Sequence, residues 1–271
     1  MSFRDRLFLT KRPPAKDVAG MPIPEERLRV LRHSDQFLVS YPRSGNTWLR
    51  CLLSDIISVG YRELGIQGDA DALVPRLHRR DIAFVVPPEG IPRIFKSHNL
   101  RDLKGRRMVY LFRNPADSLI SYFHFMVGQD ALCERDRQEP DEICLWLLPT
   151  WLAHVRLALD YRDAYPQDIH FVSYERLLYN GTEALRGVAR FFGLSASNET
   201  LRSALDRNAS STLHSTAQVE SAGSRHVCFR KGRGGSVREG LRKRTIQKIE
   251  FIGQPLYETA AATEAIDLKV G

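Results

Sequence analysis

The chain has 271 residues, of which 43% are hydrophobic and 27% charged, a mix that excludes a disordered, collagen-like or coiled-coil protein. Its formal net charge is +8. That excess points to anionic partners, among them nucleic acid, a membrane surface or a phosphorylated or sulfated small molecule.

Residues 1–35 read as an N-terminal extension, and residues 1–20 lack the apolar stretch of a secretory signal. Residues 36–40 (Gln-Phe-Leu-Val-Ser) are a short apolar run before a Pro- and Gly-containing turn, which predicts a buried strand. Residues 46–59 follow with apolar positions at helical spacing, and residues 60–92 are mixed and read as an insertion. Residues 93–96 and 108–112 predict two more strands, and Pro115 opens a helix to about residue 127. Residues 128–141 are charged and predict a loop. Residues 143–162 predict an apolar helix, kinked or broken at Pro149. No apolar run reaches the ~18 residues of a membrane span. A fourth strand is predicted at 169–173, and an amphipathic helix at 180–192 with Gly193 just past its end. A further helix is expected over 199–206, an irregular Ser-, Gly- and Arg-rich segment over 210–235, and a helical tail from 241.

Strands alternating with helices predict an α/β fold, a central largely parallel sheet flanked by helices. It reads as a single domain over 1–271, with a motif-bearing core of about 36–241. Ligands of such sheets bind at the carboxyl ends of the strands. Loops 41–47, 97–100 and 113–115 should therefore share one rim. Cys51, Cys133, Cys144 and Cys228 form no CxxC pair and have no zinc spacing. Reduced thiols, a cytoplasmic location and no metal site are the expectation.

Four constellations could carry chemistry. Tyr41-Pro-Arg-Ser-Gly-Asn-Thr-Trp48 lies between a strand and a helix. Its small residues let backbone N–H groups approach an anion at a helix N-terminus, although it is not a Walker A loop. Arg113 leaves a strand end, and Ser121 lies eight residues on in the following helix. An Arg and a Ser so placed could share one phosphate. Phe229-Arg-Lys-Gly-Arg-Gly-Gly235 sets basic residues among glycines, as a loop over phosphate oxygens would. Lys96-Ser-His98 places a histidine at a strand end, where it could be a general base. The other histidines, His154 and His170 among them, read as surface or packing residues, and His124 as a helix-face residue near the site.

With Phe171-Val-Ser-Tyr-Glu-Arg-Leu177, these motifs resemble the sulfotransferase family that uses 3′-phosphoadenosine 5′-phosphosulfate. The first is similar to that family's Y-P-K-S-G-T-T-W, the second to R-N-P-x-D-x-x-x-S-x-x-x-F. Lys96-Ser-His98 resembles its K-T-H, and Arg230-Lys-Gly232 the start of R-K-G-x-x-G-D-W. The resemblance implies a P-loop-like nucleotide-binding architecture and a donor site assembled from distant segments. It assigns Arg43, Ser44, Gly45, Asn46 and Thr47 to the 5′-phosphosulfate, Trp48 to the adenine face and Tyr174 to the base. Arg113 and Ser121, with Arg230, Lys231 and Gly232, would hold the 3′-phosphate. His98 would take the acceptor's proton. Lys96 and Arg43 would offset charge on the bridging oxygen, and adenosine 3′,5′-bisphosphate would be the product.

Three departures stand out. Arg43 replaces the usual Lys and cannot act as a proton donor. Asn46 replaces Thr. Ser236-Val237 replaces Asp-Trp. The family's dimer motif would fall at 238–247, where the chain reads Arg-Glu-Gly-Leu-Arg-Lys-Arg-Thr-Ile-Gln, so the oligomeric state stays open. The acceptor should be a hydroxyl-bearing small molecule or glycan, and the polar character of 60–92, 128–141 and 210–227 leans toward a carbohydrate or glycosylated metabolite. A nucleotide-dependent kinase is the competing enzyme reading, disfavoured by the absent Walker A lysine and separable by magnesium dependence. A basic nucleic-acid-binding protein without catalysis is the competing reading of another class. Salt-sensitive RNA binding that adenosine bisphosphate does not displace would favour it.

Overall fold

The computed structural model describes residues 22–78, 85–208 and 240–270. Four strands form one sheet: β1 (Gln36–Ser40), β2 (Ile94–Ser97), β3 (Met108–Phe112) and β4 (Ile169–Ser173). Neighbours are all parallel, in the order β2-β1-β3-β4. In chain order the helices are α1 (Glu25–Val30), α2 (Asn46–Gly60), α3 (Ala70–Leu73), α4 (Pro115–Gly128), α5 (Glu134–Arg137), α6 (Pro140–Ala164), α7 (Tyr174–Tyr179), α8 (Gly181–Phe192), α9 (Asn198–Arg207) and α10 (Lys243–Val270).

β3 and β4 are buried along their whole length, which is why they read as unbroken apolar runs rather than alternating ones. The period of two sorts their side chains into two cores. Phe37, Val39, Phe95, Tyr110, Phe112 and Phe171 face a core shared with α4, α6 and α10. Leu38, Ile94, Val109, Leu111 and Val172 face a second core built on α2, α8 and α9. α2 presents Leu49, Leu52, Leu53, Ile56 and Ile57 to that core, the 3–4 spacing of an amphipathic helix. From central β1 the chain crosses to β2 on one side and then to β3 on the other. The carboxyl end of β1 is thus the topological switch point, where ligands of open α/β sheets bind.

The ends of the sheet are covered. β4 is the edge next to α10, and two carboxylates of α10 accept its outward amides: Asp267 Oδ2 from Phe171 N at 2.8 Å and Glu264 Oε1 from Ser173 N at 3.1 Å. At the other edge, Lys96 N donates to Pro75 O at 2.8 Å and Leu77 N to Lys96 O at 2.9 Å, so a short extended piece runs alongside β2.

Several expectations shift. β2 lies one residue later than the 93–96 run. The segment 128–141 holds the short helix α5 and the start of α6. The helix expected to kink or break at Pro149 runs as one element over Pro140–Ala164. Leu147, Leu148 and Trp151 are buried on both sides of the proline, and that packing outweighs its missing N–H. Among the described residues α6 is the one helix long and apolar enough to cross a membrane, yet half of that stretch is buried in this fold. Its packing on α4 and α10 makes it a core helix.

Candidate active site

The loop from β1 into α2 is shaped by two left-handed residues, Arg43 (φ 65°) and Gly45 (φ 101°). A β-carbon on Gly45 would stand 2.5 Å from Tyr174 Cδ2, so only glycine lets the loop lie against that ring. The N-cap of α2 is Gly45, which has no side chain to cap it and leaves the first amides and the positive end of the helix dipole at the rim. Asn46 turns inward, and its Nδ2 donates to Ser40 Oγ at 2.9 Å.

The second strand end adds charge. Arg113 is buried at 6% exposure, its guanidinium 4.2 Å above the Tyr174 ring and its Nη1 3.4 Å from the Arg43 carbonyl. Arg43 Nε donates to Ser121 Oγ at 3.3 Å, and its guanidinium lies 5.2 Å over the Phe125 ring. Asn114 caps α4 by accepting from Ala116 N and Asp117 N, which fixes the turn after Arg113. Trp48 meets Tyr174 edge-on at 5.7 Å, and its Nε1 donates to Asn208 O at 2.8 Å. Thr47 is half-buried in the first turn of α2. Arg43, Gly45, Trp48, Arg113, Ser121 and Tyr174 therefore gather around one rim. Arg230, Lys231 and Gly232 lie outside the described residues.

Among the described residues three polar atoms of this rim are buried without a hydrogen-bond partner, Ser44 Oγ, Asn46 Oδ1 and Arg113 Nε. Ser44 Oγ and Arg113 Nε are donors that an anion would meet, and a buried unsatisfied donor is costly unless a ligand does so. Arg43 and Arg113 add two cations. The residues present fit an anionic nucleotide.

His98 follows β2 beside this rim. Its Nδ1 lies 2.7 Å from the Ser40 carbonyl and 3.5 Å from Ser40 Oγ. A carbonyl only accepts, so Nδ1 carries the proton and Nε2 keeps its lone pair. Burial, and then the Lys96 charge, holds the His98 imidazole well below the ordinary range and favours the neutral ring. Lys96 lies on β2 opposite Leu38, half-buried. Burial, then Arg50 and Arg76, push its ammonium well below the usual lysine range.

Sequence reasoning passed over two organising residues. Glu175 Oε1 accepts from Asn114 N at 3.0 Å, and its Oε2 accepts from Tyr257 of α10 at 3.0 Å, which ties Tyr174 and Arg113 to the last helix. Its place beside Tyr174 in Tyr-Glu-Arg-Leu was the available signal. His154 is a core residue bonded to the peptide of His98, with no local motif to mark it. Among the described residues no group of three His, Cys, Asp or Glu is gathered as a metal ligand set.

A parallel α/β sheet with a basic, glycine-shaped loop at its switch point defines a nucleotide-handling enzyme. The particular family follows from comparison: a model of the sulfotransferase domain matches residues 33–261, and the chain belongs to that family of transferases. Sulfotransferase 6B1 of Danio rerio is 24% identical over 247 residues, 87% of this chain and 83% of its own. The amine sulfotransferase of Oryctolagus cuniculus is 34% identical over 103 residues, 35% of this chain and 34% of its own. In fold, the chain is similar to mouse sulfotransferase SULT7A1 complexed with PAP (TM-score 0.61, 19% identity, 89% of this chain and 95% of that one). It is similar also to retinol dehydratase in a complex with retinol and PAP (TM-score 0.63, 20% identity, 89% and 84%).

Proposed function

We propose that this sulfotransferase moves a sulfuryl group from 3′-phosphoadenosine 5′-phosphosulfate to a hydroxyl of a small-molecule acceptor, with His98 as general base. The observation that carries the reading is the His98 tautomer at the switch point. Its Nδ1–H is held by the Ser40 carbonyl at 2.7 Å, which leaves Nε2 free to take a proton. The donor supplies the sulfuryl group and leaves as adenosine 3′,5′-bisphosphate. Ser44, Gly45, Asn46, Thr47 and the N-terminus of α2 would hold its 5′ side. Arg113 and Ser121, with Arg230, Lys231 and Gly232, would hold the 3′-phosphate, and Trp48 and Tyr174 would face the base. Arg43 would supply a permanent charge to offset that on the bridging oxygen, turning from its present contact with Ser121, and Lys96 would add a second, an electrostatic role of the kind that dominates phosphoryl transfer.

His98→Ala tests the base. The expected result is a 10²–10⁴-fold loss of turnover with binding of adenosine 3′,5′-bisphosphate retained. Turnover near the wild-type level would remove His98 from the role.

For the acceptor we infer a polar hydroxyl compound, a carbohydrate or glycosylated metabolite. The charged segment around α5, with Glu134, Arg135, Asp136 and Arg137, supports it. A panel of phenols, steroids and sugars with labelled donor decides, and activity on phenols alone would overturn it. The setting we propose is reducing and cytoplasmic, and Cys133 and Cys144, in no disulfide among the described residues, are compatible with it.

A further inference from the structure

Two buried side chains away from the donor rim are bonded in series to the peptide of His98. Tyr110, in the middle of β3, is fully buried, and His154 of α6 is 4% exposed. Their rings stack at 5.5 Å with 22° between planes. Tyr110 Oη lies 2.8 Å from His154 Nδ1, and His154 Nε2 lies 2.9 Å from the His98 carbonyl. Because the carbonyl can only accept, His154 carries its proton on Nε2, its Nδ1 accepts, and Tyr110 donates. The relay is then Tyr110 O–H to His154, His154 N–H to the His98 carbonyl, and His98 N–H to the Ser40 carbonyl. The two histidines are fixed in opposite tautomers.

The placement matters because β2 ends at Ser97. The pairing with β1 reaches Ser97 and does not set the orientation of the next peptide. The same helix face makes a second contact. Thr150, one turn before His154, accepts from the Tyr41 hydroxyl at 2.9 Å and donates to the Leu147 carbonyl at 2.7 Å. Tyr41 opens the β1–α2 loop. One face of α6 thus grips both the loop and the residue after β2, and it fixes the distance between them.

We propose that the Tyr110–His154 pair is a positioning device for the general base, holding the His98 peptide so that Nε2 of its ring faces the acceptor hydroxyl. The inference rests on the reading of His98 as base. His154 itself is a positioning residue and touches no substrate. Burial holds it down at about 4, so it stays neutral and keeps its donor and acceptor ends. Arg101 is the charge that adds to this effect, and His98 and the edge of the Tyr41 ring, 5.8 Å away, are its other polar neighbours.

The test compares His154→Leu, His154→Gln and Tyr110→Phe in the full chain. Leu keeps the volume and removes both bonds, whereas Gln returns an N–H near the position of Nε2. A base displaced by about 1 Å loses on the order of 10²-fold. The expected results are a 10- to 100-fold fall in kcat for Leu, recovery of most of it by Gln, and a smaller fall for Phe. The donor KM and the affinity for adenosine 3′,5′-bisphosphate should stay within about twofold. In a His98→Ala background, His154→Leu should bring no further loss. Full turnover in folded His154→Leu, Gln as inactive as Leu, or the whole loss repeated in the His98→Ala background would each overturn the proposal. A ¹⁵N-histidine NMR spectrum judges the relay without activity and without relying on the Leu variant to fold. It should show His154 protonated on Nε2 and His98 on Nδ1, and the opposite tautomer at His154 would overturn it. Turnover retained by His98→Ala alone would instead remove the base reading while this spectrum still tests the relay.

Discussion

Gly45 and His98 show what single residues contribute to this site. Gly45 combines a left-handed backbone with a β-carbon direction that ends 2.5 Å from Tyr174. Ala there carries about 1 kcal/mol of backbone strain and must also push the Tyr174 ring off the loop. Gly45→Ala should therefore weaken adenosine 3′,5′-bisphosphate binding by tenfold or more, measured by calorimetry. As the proposed base, His98 would set the pH dependence. Only the neutral ring accepts a proton, and burial with Lys96 nearby favours that form. The acid limb of kcat should fall below about 6.5, the ordinary imidazole value. A midpoint at or above it would contradict a buried base. At this scale the sequence was legible where a residue sits inside a local motif, as Arg43, Ser44, Arg113, Ser121 and Tyr174 do. It was silent on His154, whose partner lies 56 residues away and whose role exists only once α6 packs under the sheet.

Among the elements, α6 and α10 decide how the rim is supported. α10 comes so close to the start of α4 that a β-carbon on Gly253 would lie 2.8 Å from Pro115 Cγ. Two effects oppose each other in Gly253→Ala. Helix propensity gains about 1 kcal/mol, whereas overpacking against a rigid proline ring costs 1–3 kcal/mol. The clash wins, so the denaturant midpoint should drop. The turn at Asn114 sits beside Pro115, so nucleotide affinity should fall with it. The strands were legible almost to the residue, because fully buried parallel strands leave continuous apolar runs. Pro149 misled because local chemistry predicts a break, whereas Leu147, Leu148 and Trp151 secure the helix by tertiary burial.

For the molecule as a whole, the buried histidines link stability to pH. His78, His98, His154 and His170 are all held below the usual imidazole range, chiefly by burial. Their folded values are depressed, so the unfolded chain binds protons first. The stability they contribute is present above about 6.5 and is lost as pH falls through the folded values. For His154, lowered to about 4, the loss amounts to roughly 3 kcal/mol. Glu175 and Glu264, pushed up by burial, act in the opposite sense. Urea midpoints at pH 7 and pH 5 should show a net loss of stability in acid, and His154→Gln should flatten it. Part of the charge of +8 is placed at one rim by Arg43 and Arg113. The acceptor was not legible because it depends on segments without periodicity, whose contacts no local pattern encodes.

The two carboxylates that α10 lays along β4 have a consequence beyond packing. Asp267 and Glu264 occupy the amides through which another strand would join the sheet, and a carboxylate has no N–H to pass the ladder on. In polymer terms they are chain terminators. A parallel sheet of four largely buried strands, which would otherwise offer its outer strand as a template to a neighbouring molecule, is stopped there by its own last helix.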